Sequence, residues 1–129
     1  SVKIRVYYED TDSGGVVYHS NYLNFMERAR TEWLRDLGIG QHALKTNDNL
    51  MFVVSTITID YKKPAILDDE LTVQTDLLSM RSCSIDLKQQ IFRKKELLTN
   101  SIVTVACIDA NQLKPVKIPT TIRKLMELL

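Results

Sequence analysis

The chain has 129 residues, 44% of them hydrophobic and 26% charged. A chain of this size makes one domain and buries roughly two-thirds of its surface on folding, which excludes two-domain enzymes and the larger α/β-hydrolase and Rossmann architectures. Only three prolines and four glycines occur, so disorder is excluded. Seventeen basic and sixteen acidic residues leave no global field to draw in nucleic acid or an anionic membrane.

Val2–Tyr8, rich in β-branched and aromatic residues, predicts a first strand, and the turn-rich Glu9–Gly15 follows it. Tyr22, Phe25, Met26, Ala29, Trp33 and Leu37 then recur at helical spacing, so the only long helix is expected over Tyr22–Leu37. Ser20 or Asn21 is placed to cap its start, and Gly38 and Gly40 mark its end. His42 falls in the polar stretch after Gly40 and reads as a solvent-facing loop residue.

Beyond it the pattern is that of strands. Met51–Tyr61 is expected to present Val53, Ile57, Ile59 and Tyr61 on one face, before Pro64 and a turn at Asp68-Asp69. Leu71, Val73, Thr75 and Leu77 alternate with polar residues, as do Ile85, Leu87 and Ile91, and Lys94-Lys95-Glu96 turns the chain back. The nearly continuous apolar run Ile102–Ile108 predicts a strand covered on both faces. A short helix over Thr120–Leu129 closes the chain behind Pro119. One helical stripe needing an apolar surface, and sequential strands to supply it, imply an α+β fold with a curved antiparallel sheet of about five strands around the helix, in one domain over residues 1–129.

Cys83 and Cys107 lie outside any metal or redox spacing and in apolar or strand-like surroundings, which predicts two free thiols and a reducing compartment. No uncharged run reaches the ~20 apolar residues of a membrane span, and the chain opens directly on a strand-like segment rather than a signal peptide. The cytoplasm is the expected location. Residues 81–129 carry nine basic against four acidic groups. A small polyphosphate ligand would use that excess, but a solvated face produces the same pattern.

The chemically dense stretch is Tyr7–Tyr22. Asp12 precedes Gly14-Gly15, and Val16-Val17-Tyr18-His19 leads into the helix. Glycine admits a ligand close to the backbone, and a helix N-terminus offers unpaired N–H groups. A carboxylate opposite such donors can attack, or deprotonate toward, a carbonyl that they polarise. Turn caps at Asp10 and Asp12 would give the same local sequence. A calcium loop starting at Asp10 fails, because Gly14 and Asn21 stand where ligands are needed, and two histidines serve zinc poorly. No metal or other cofactor is expected.

Tyr8 through Tyr22, with Arg5-Val6 before it and Glu27-Arg28-Ala29-Arg30-Thr31-Glu32 after it, resembles the hotdog-fold acyl-CoA thioesterases of the 4-hydroxybenzoyl-CoA thioesterase family. The resemblance runs on through Phe52-Val53-Val54, Asp68-Asp69 and Val105–Asp109 to Lys114-Pro115, and is nearest to the bacterial branch associated with the Tol–Pal system. It implies a metal-free acyl-CoA thioester hydrolase. By resemblance Asp12 is the catalytic carboxylate, nucleophile or general base, Tyr8 and His19 belong to the active site, and the His19 N–H polarises the thioester carbonyl. Gly15, Val17 and Tyr18 fall within the substrate-binding motif. Arg81, Ser82 and Ser84 match the segment that contacts the CoA nucleotide, with a paired basic element reduced to Arg81 alone. The family also implies a homodimer, often paired again into a tetramer, with CoA held across subunits. Acyl-carrier-protein thioester cleavage and a non-catalytic acyl-CoA-binding or envelope-associated module remain as alternatives; a hotdog hydratase needs an acid/base pair that this motif does not supply.

Overall fold

The computed structural model describes residues 1–129. Five strands, β1 (Val2–Arg5), β2 (Leu50–Tyr61), β3 (Glu70–Met80), β4 (Ser84–Arg93) and β5 (Glu96–Asp109), form one antiparallel sheet in the order β1-β3-β4-β5-β2. Three helices accompany it: α1 (His19–Asp36), α2 (Gln41–Asp48) and α3 (Thr120–Glu127). The α+β expectation and the curled sheet around one long helix both hold.

The core is the seam between α1 and the sheet's inner face. Tyr22, Phe25, Met26, Ala29 and Leu34 of α1 are buried, and they join one cluster with Leu71, Val73, Ile85, Leu87, Ile91, Val103 and Val105. Period 3.6 on the helix meets period 2 on the strands, which is why alternate strand residues vanish from solvent. Polar residues share that face, Thr99 and Ser101 on β5 and Gln89 on β4, and Gln89 is fully buried. Its amide donates to the Met26 carbonyl (3.0 Å) and to Thr75 Oγ1 (3.0 Å), and its oxygen accepts from Arg30 (3.0 Å), so a buried amide ties helix to sheet with its polar atoms satisfied.

Several boundaries differ from the sequence reading. β1 ends at Arg5, and Tyr8–Asp10 is a 3₁₀ turn rather than strand. α1 starts at His19, capped by the backbone of Tyr18; neither Ser20 nor Asn21 caps it, because the Asn21 side chain is spent on Asp10. His42 is exposed but sits on α2, a helix too short to show a stripe and anchored by the single buried Leu44. Register in β2 shifts between Val54 and Thr56, leaving Ser55 unpaired as a bulge. The extra residue reverses the alternation, so Phe52 packs inward with Ile57 and Ile59, and Val53 does not share their face. β5 is covered on both faces only towards its ends, where Leu98 and Thr99 and again Cys107 and Ile108 are buried; in its middle Val103 is fully buried and Ile102 is exposed.

The two cysteines are free, Cys83 half-buried and Cys107 buried. Burial pushes the Cys107 thiol up to about 11, with neighbouring Cys83 adding to the effect. Each acts as the small hydrophobe the sequence suggested. No helix is long and apolar enough to cross a membrane.

Replacing Leu87 with Ala, a side chain 1% exposed at the centre of the seam, should cost about 2–5 kcal/mol, while Ile102→Ala on the open face should cost about 0.5 kcal/mol or less. Urea denaturation of the two variants measures both, and equal losses would contradict an outer face left open at Ile102.

Candidate active site

The segment between β1 and α1 is a built loop. In the 3₁₀ turn, Asp10 is 8% exposed, and both carboxylate oxygens are engaged: Oδ2 accepts from the Tyr7 N–H (2.9 Å) and Oδ1 from the Asn21 side-chain amide (2.8 Å). Its carbonyl accepts the Tyr18 N–H (3.0 Å). Thr11 and Val17 then bridge antiparallel, closing a tight turn in which the Asp12 N–H donates to the Val16 carbonyl (2.9 Å) and the Gly15 N–H to the Asp12 carbonyl (3.1 Å).

Asp12 stands at the open end of that turn. Its Oδ1 accepts the Gly14 N–H (2.8 Å), which fixes the carboxylate without burying it. Gly15 holds φ +80°, the left-handed region that glycine enters freely. A Cβ on Gly14 would lie 3.2 Å from Asp12 Oδ1, so that position is small because the carboxylate folds back over it.

The loop is pinned to the far side of the site by the strand connection Lys62–Asp69. Val17 donates to the Ala65 carbonyl (2.9 Å), and Val16 bridges Ile66. The buried Tyr22 hydroxyl accepts the Ala65 N–H (3.0 Å), and burial raises its pKa, so it stays a neutral phenol. Arg93 clasps the same connection, donating to Asp69 (2.7 Å), the Pro64 carbonyl (3.2 Å) and Glu96 (2.6 Å).

Between loop and connection lies a cleft of about 210 Å³, lined among others by Asp12, Val16, His19, Tyr22, Tyr61 and Lys62. The Tyr61 hydroxyl donates to the His19 carbonyl (3.3 Å), and the His19 ring meets the Tyr61 ring edge-on with centroids 5.0 Å apart. At the start of α1 the N–H groups of His19 and Ser20 have no acceptor within the chain. A carboxylate and unpaired amide donors therefore border one opening, the arrangement that carbonyl chemistry requires.

Of the residues singled out in the sequence, Asp12, His19 and Val17 line this cleft. Gly15 shapes its turn and Tyr18 caps α1, its ring exposed. Tyr8 does not line the cleft: it opens the 3₁₀ turn and is 81% exposed. Arg81 and Ser82 line a different hollow with Lys117 and Arg123, and Ser84 begins β4 beside it. Arg81 is paired there with Asp86 (2.8 Å), whose carboxyl is held below the usual range first by the Thr104 hydroxyl, then by that of Ser79 and by Arg81. Sequence reasoning missed the Asp10–Asn21 bond, Tyr61 and Lys62. The first had a signal in Asp10 lying eleven residues before an amide at a helix start, but pairing them needs the loop's fold.

The loop geometry separates its two glycines. Gly15→Ala should lower stability by about 1–2 kcal/mol, since the new Cβ has space but the left-handed backbone is strained. Gly14→Ala should cost less, because only the Asp12 carboxylate has to give way. Urea midpoints for the pair test this order, and a reversal would contradict the turn described.

Residues 6–126 match the family model of the thioesterase-like superfamily. The chain is 46% identical over 123 residues to the acyl-CoA thioesterase YbgC of Haemophilus influenzae, covering 95% of this chain and 90% of that protein. It is 31% identical over 128 residues to the long-chain acyl-CoA thioesterase FadM of Escherichia coli, covering 98% and 94%. The fold superposes on a probable thioesterase from Bartonella henselae with TM-score 0.88 at 36% identity, over 92% of this chain and 97% of that one. With a family match over nearly its whole length and a shared curled sheet around one long helix, the chain belongs to the thioesterase-like superfamily and has its hotdog fold.

Proposed function

We propose that this thioester hydrolase cleaves acyl-CoA thioesters to free acid and CoA, with Asp12 as the acting carboxylate and the start of α1 as the carbonyl-polarising element. The observation that carries the reading is the shared opening: Asp12 and His19, whose N–H has no acceptor within the chain, line one cleft. Negative charge developing on the thioester oxygen is stabilised by such donors and by the positive end of the helix dipole. Asp12 then acts in one of two ways. It attacks the carbonyl carbon, expelling the CoA thiolate and leaving a mixed anhydride that water cleaves, or it takes a proton from a water that attacks instead. The Gly14 N–H holds the carboxylate in place and leaves Oδ2 without an intramolecular partner.

The site is shared between two subunits. β1 and β2 are the sheet's edges, and β2 presents twelve residues with one side unpaired. Long open edges invite a partner strand. Two-fold antiparallel pairing through β2 sets the Tyr61 end of one strand beside the Phe52 end of the other. At the Phe52 end lies an apolar cleft of about 250 Å³ between α1 and the sheet, lined among others by Trp33, Leu34, Phe52, Val53 and Ile85. Within one chain the two ends of β2 stand roughly 30 Å apart. Across the two-fold they adjoin, so the thioester rests on one subunit and the acyl group enters its partner. The hollow of Arg81, Ser82, Lys117 and Arg123 suits the nucleotide phosphates, with Lys117 and Arg123 supplying charge that Asp86 takes from Arg81. Pairing such dimers into a tetramer is the further assembly this reading includes, and a cytoplasmic location suits a CoA-dependent enzyme with two free thiols.

Asp12→Asn keeps size and removes charge, so thiol release from a panel of acyl-CoAs should fall ~10²-fold or more, and His19→Ala should lose less because its backbone donor survives. Near-normal turnover in folded Asp12→Asn protein would exclude the assignment. Mixing Asp12→Asn subunits with subunits carrying both Lys117→Ala and Arg123→Ala, the open charges of the hollow, should restore part of the activity that each variant lacks alone. A fully active monomer at assay concentration rules out the shared site.

A further inference from the structure

The two halves of the proposed machinery belong to different elements, the carboxylate to a loop and the amide donors to a helix. Something has to fix the gap between them, since reacting groups displaced by about 1 Å lose on the order of 10²-fold in rate. The Asp12 turn is closed on itself by the Gly14 and Gly15 N–H groups and tied on one side to the strand connection through Val16 and Val17, so its placement against α1 depends on a separate attachment. Its attachments decide where it sits.

One residue makes the attachment on the helix side. Asp10 lies two residues before Asp12, and the Asn21 amide that it accepts is on the first turn of α1, two residues after His19. Its other oxygen accepts the Tyr7 N–H and its carbonyl accepts the Tyr18 N–H. Three bonds from one residue thus join the end of β1, the start of the Asp12 turn and the N-terminus of α1. Asp10 lines neither the Asp12 cleft nor the apolar one but a hollow beside β1 with Arg5 and Arg28, which sets it apart from the acting groups. A carboxylate this buried without a salt-bridge partner is retained by its N–H partners, and charge-assisted bonds of this kind are short and directional.

We propose that Asp10 is a positioning residue, whose bond to Asn21 sets the separation between the Asp12 carboxylate and the amide donors at the start of α1. The two acids of Asp10-Thr11-Asp12 then have opposite duties, one spent wholly inside the loop and the other left facing the cleft. The inference rests on the thioesterase reading for its kinetic consequence, but not for its structural one.

The test is an exchange of the two side chains. Asp10→Ala alone removes the acceptor for both Tyr7 and Asn21, and Asn21→Asp alone sets carboxylate against carboxylate, whereas Asp10→Asn alone can keep a neutral bond once the Asn21 amide turns over. In the double variant, Asp10→Asn with Asn21→Asp, the introduced amide accepts from Tyr7 through its oxygen and donates to the introduced carboxylate, restoring both bonds with reversed polarity. Asp10→Ala and Asn21→Asp should each lose about 10- to 100-fold in kcat with KM within about twofold, and the double variant should recover most of that loss. A residue that merely stabilises the fold would lower the melting temperature and the folded fraction and leave kcat per folded molecule unchanged, which overturns the proposal, as does a folded double variant no faster than those two. Hydrogen–deuterium exchange over residues 12–21 supplies the readout independent of turnover: faster exchange in Asp10→Ala and in Asn21→Asp, and restored protection in the double. If wild-type protein releases no thiol from any acyl-CoA, the functional reading fails, and unchanged exchange in Asp10→Ala and Asn21→Asp then overturns the positioning role separately.

Discussion

Packing of Phe25 and Met26 beneath α1 places the helix, and the position of every group at its N-terminus follows from that packing. Both side chains are fully buried against the inner face of the sheet, and the Met26 carbonyl is additionally held by the Gln89 amide. A helix is stiff along its axis, so fixing residues 25 and 26 fixes His19 roughly 10 Å away, at 1.5 Å per residue. The sheet's curl matters for the same reason. Loop, connection and helix start meet only because β2 and β3 bend around α1 and deliver Ala65 to both Tyr22 and Val17.

Elements with a period were legible in the sequence, and elements without one were not. Tyr22–Leu37 showed its stripe because a long amphipathic helix repeats its pattern over roughly four turns. α2 offers a single buried residue, Leu44, and one anchor makes no period. The bulge at Ser55 defeated the β2 reading by inserting one residue into a two-residue repeat, a change that no composition betrays. Ile102 misled in another way: an apolar run suits burial on both faces, but the outer face of β5 is buried at Ile108, beside the Pro115 segment, and left open at Ile102. Asp12 and His19 were found through resemblance, whereas Asp10 and Asn21 were read as turn and cap residues, since their bond spans eleven positions and depends on the intervening loop.

Charge tells a similar story at the other end of the molecule. The basic surplus of the last third is not carried by Arg81, whose guanidinium lies 2.8 Å from Asp86. Asp86 is itself held ionised by the Thr104 and Ser79 hydroxyls, so the pair is a local structural feature of the β3–β4 turn. Arg123 approaches from α3 and donates to the carbonyls of Arg81 and Ser82. The turn is thereby braced from two directions, and the positive charge open to a ligand shifts from the residue named in the motif to its neighbours Lys117 and Arg123.

The architecture leaves two surfaces unfinished within a single chain, and they lie on the same edge. β2 has no partner on its outer side, and clefts open at both of its ends, one holding Asp12, the other lined by Phe52 and Trp33. An enzyme for a long, two-part substrate needs a polar opening for the thioester and an apolar one for the acyl group. One chain supplies both but sets them a strand's length apart. The proposed two-fold axis through the middle of β2 would answer the edge and the separation in one step, because antiparallel pairing exchanges the ends of the strand. In the proposed dimer the polar cleft of each subunit would open onto the apolar cleft of the other, and two complete sites would arise from surfaces that are each half of one.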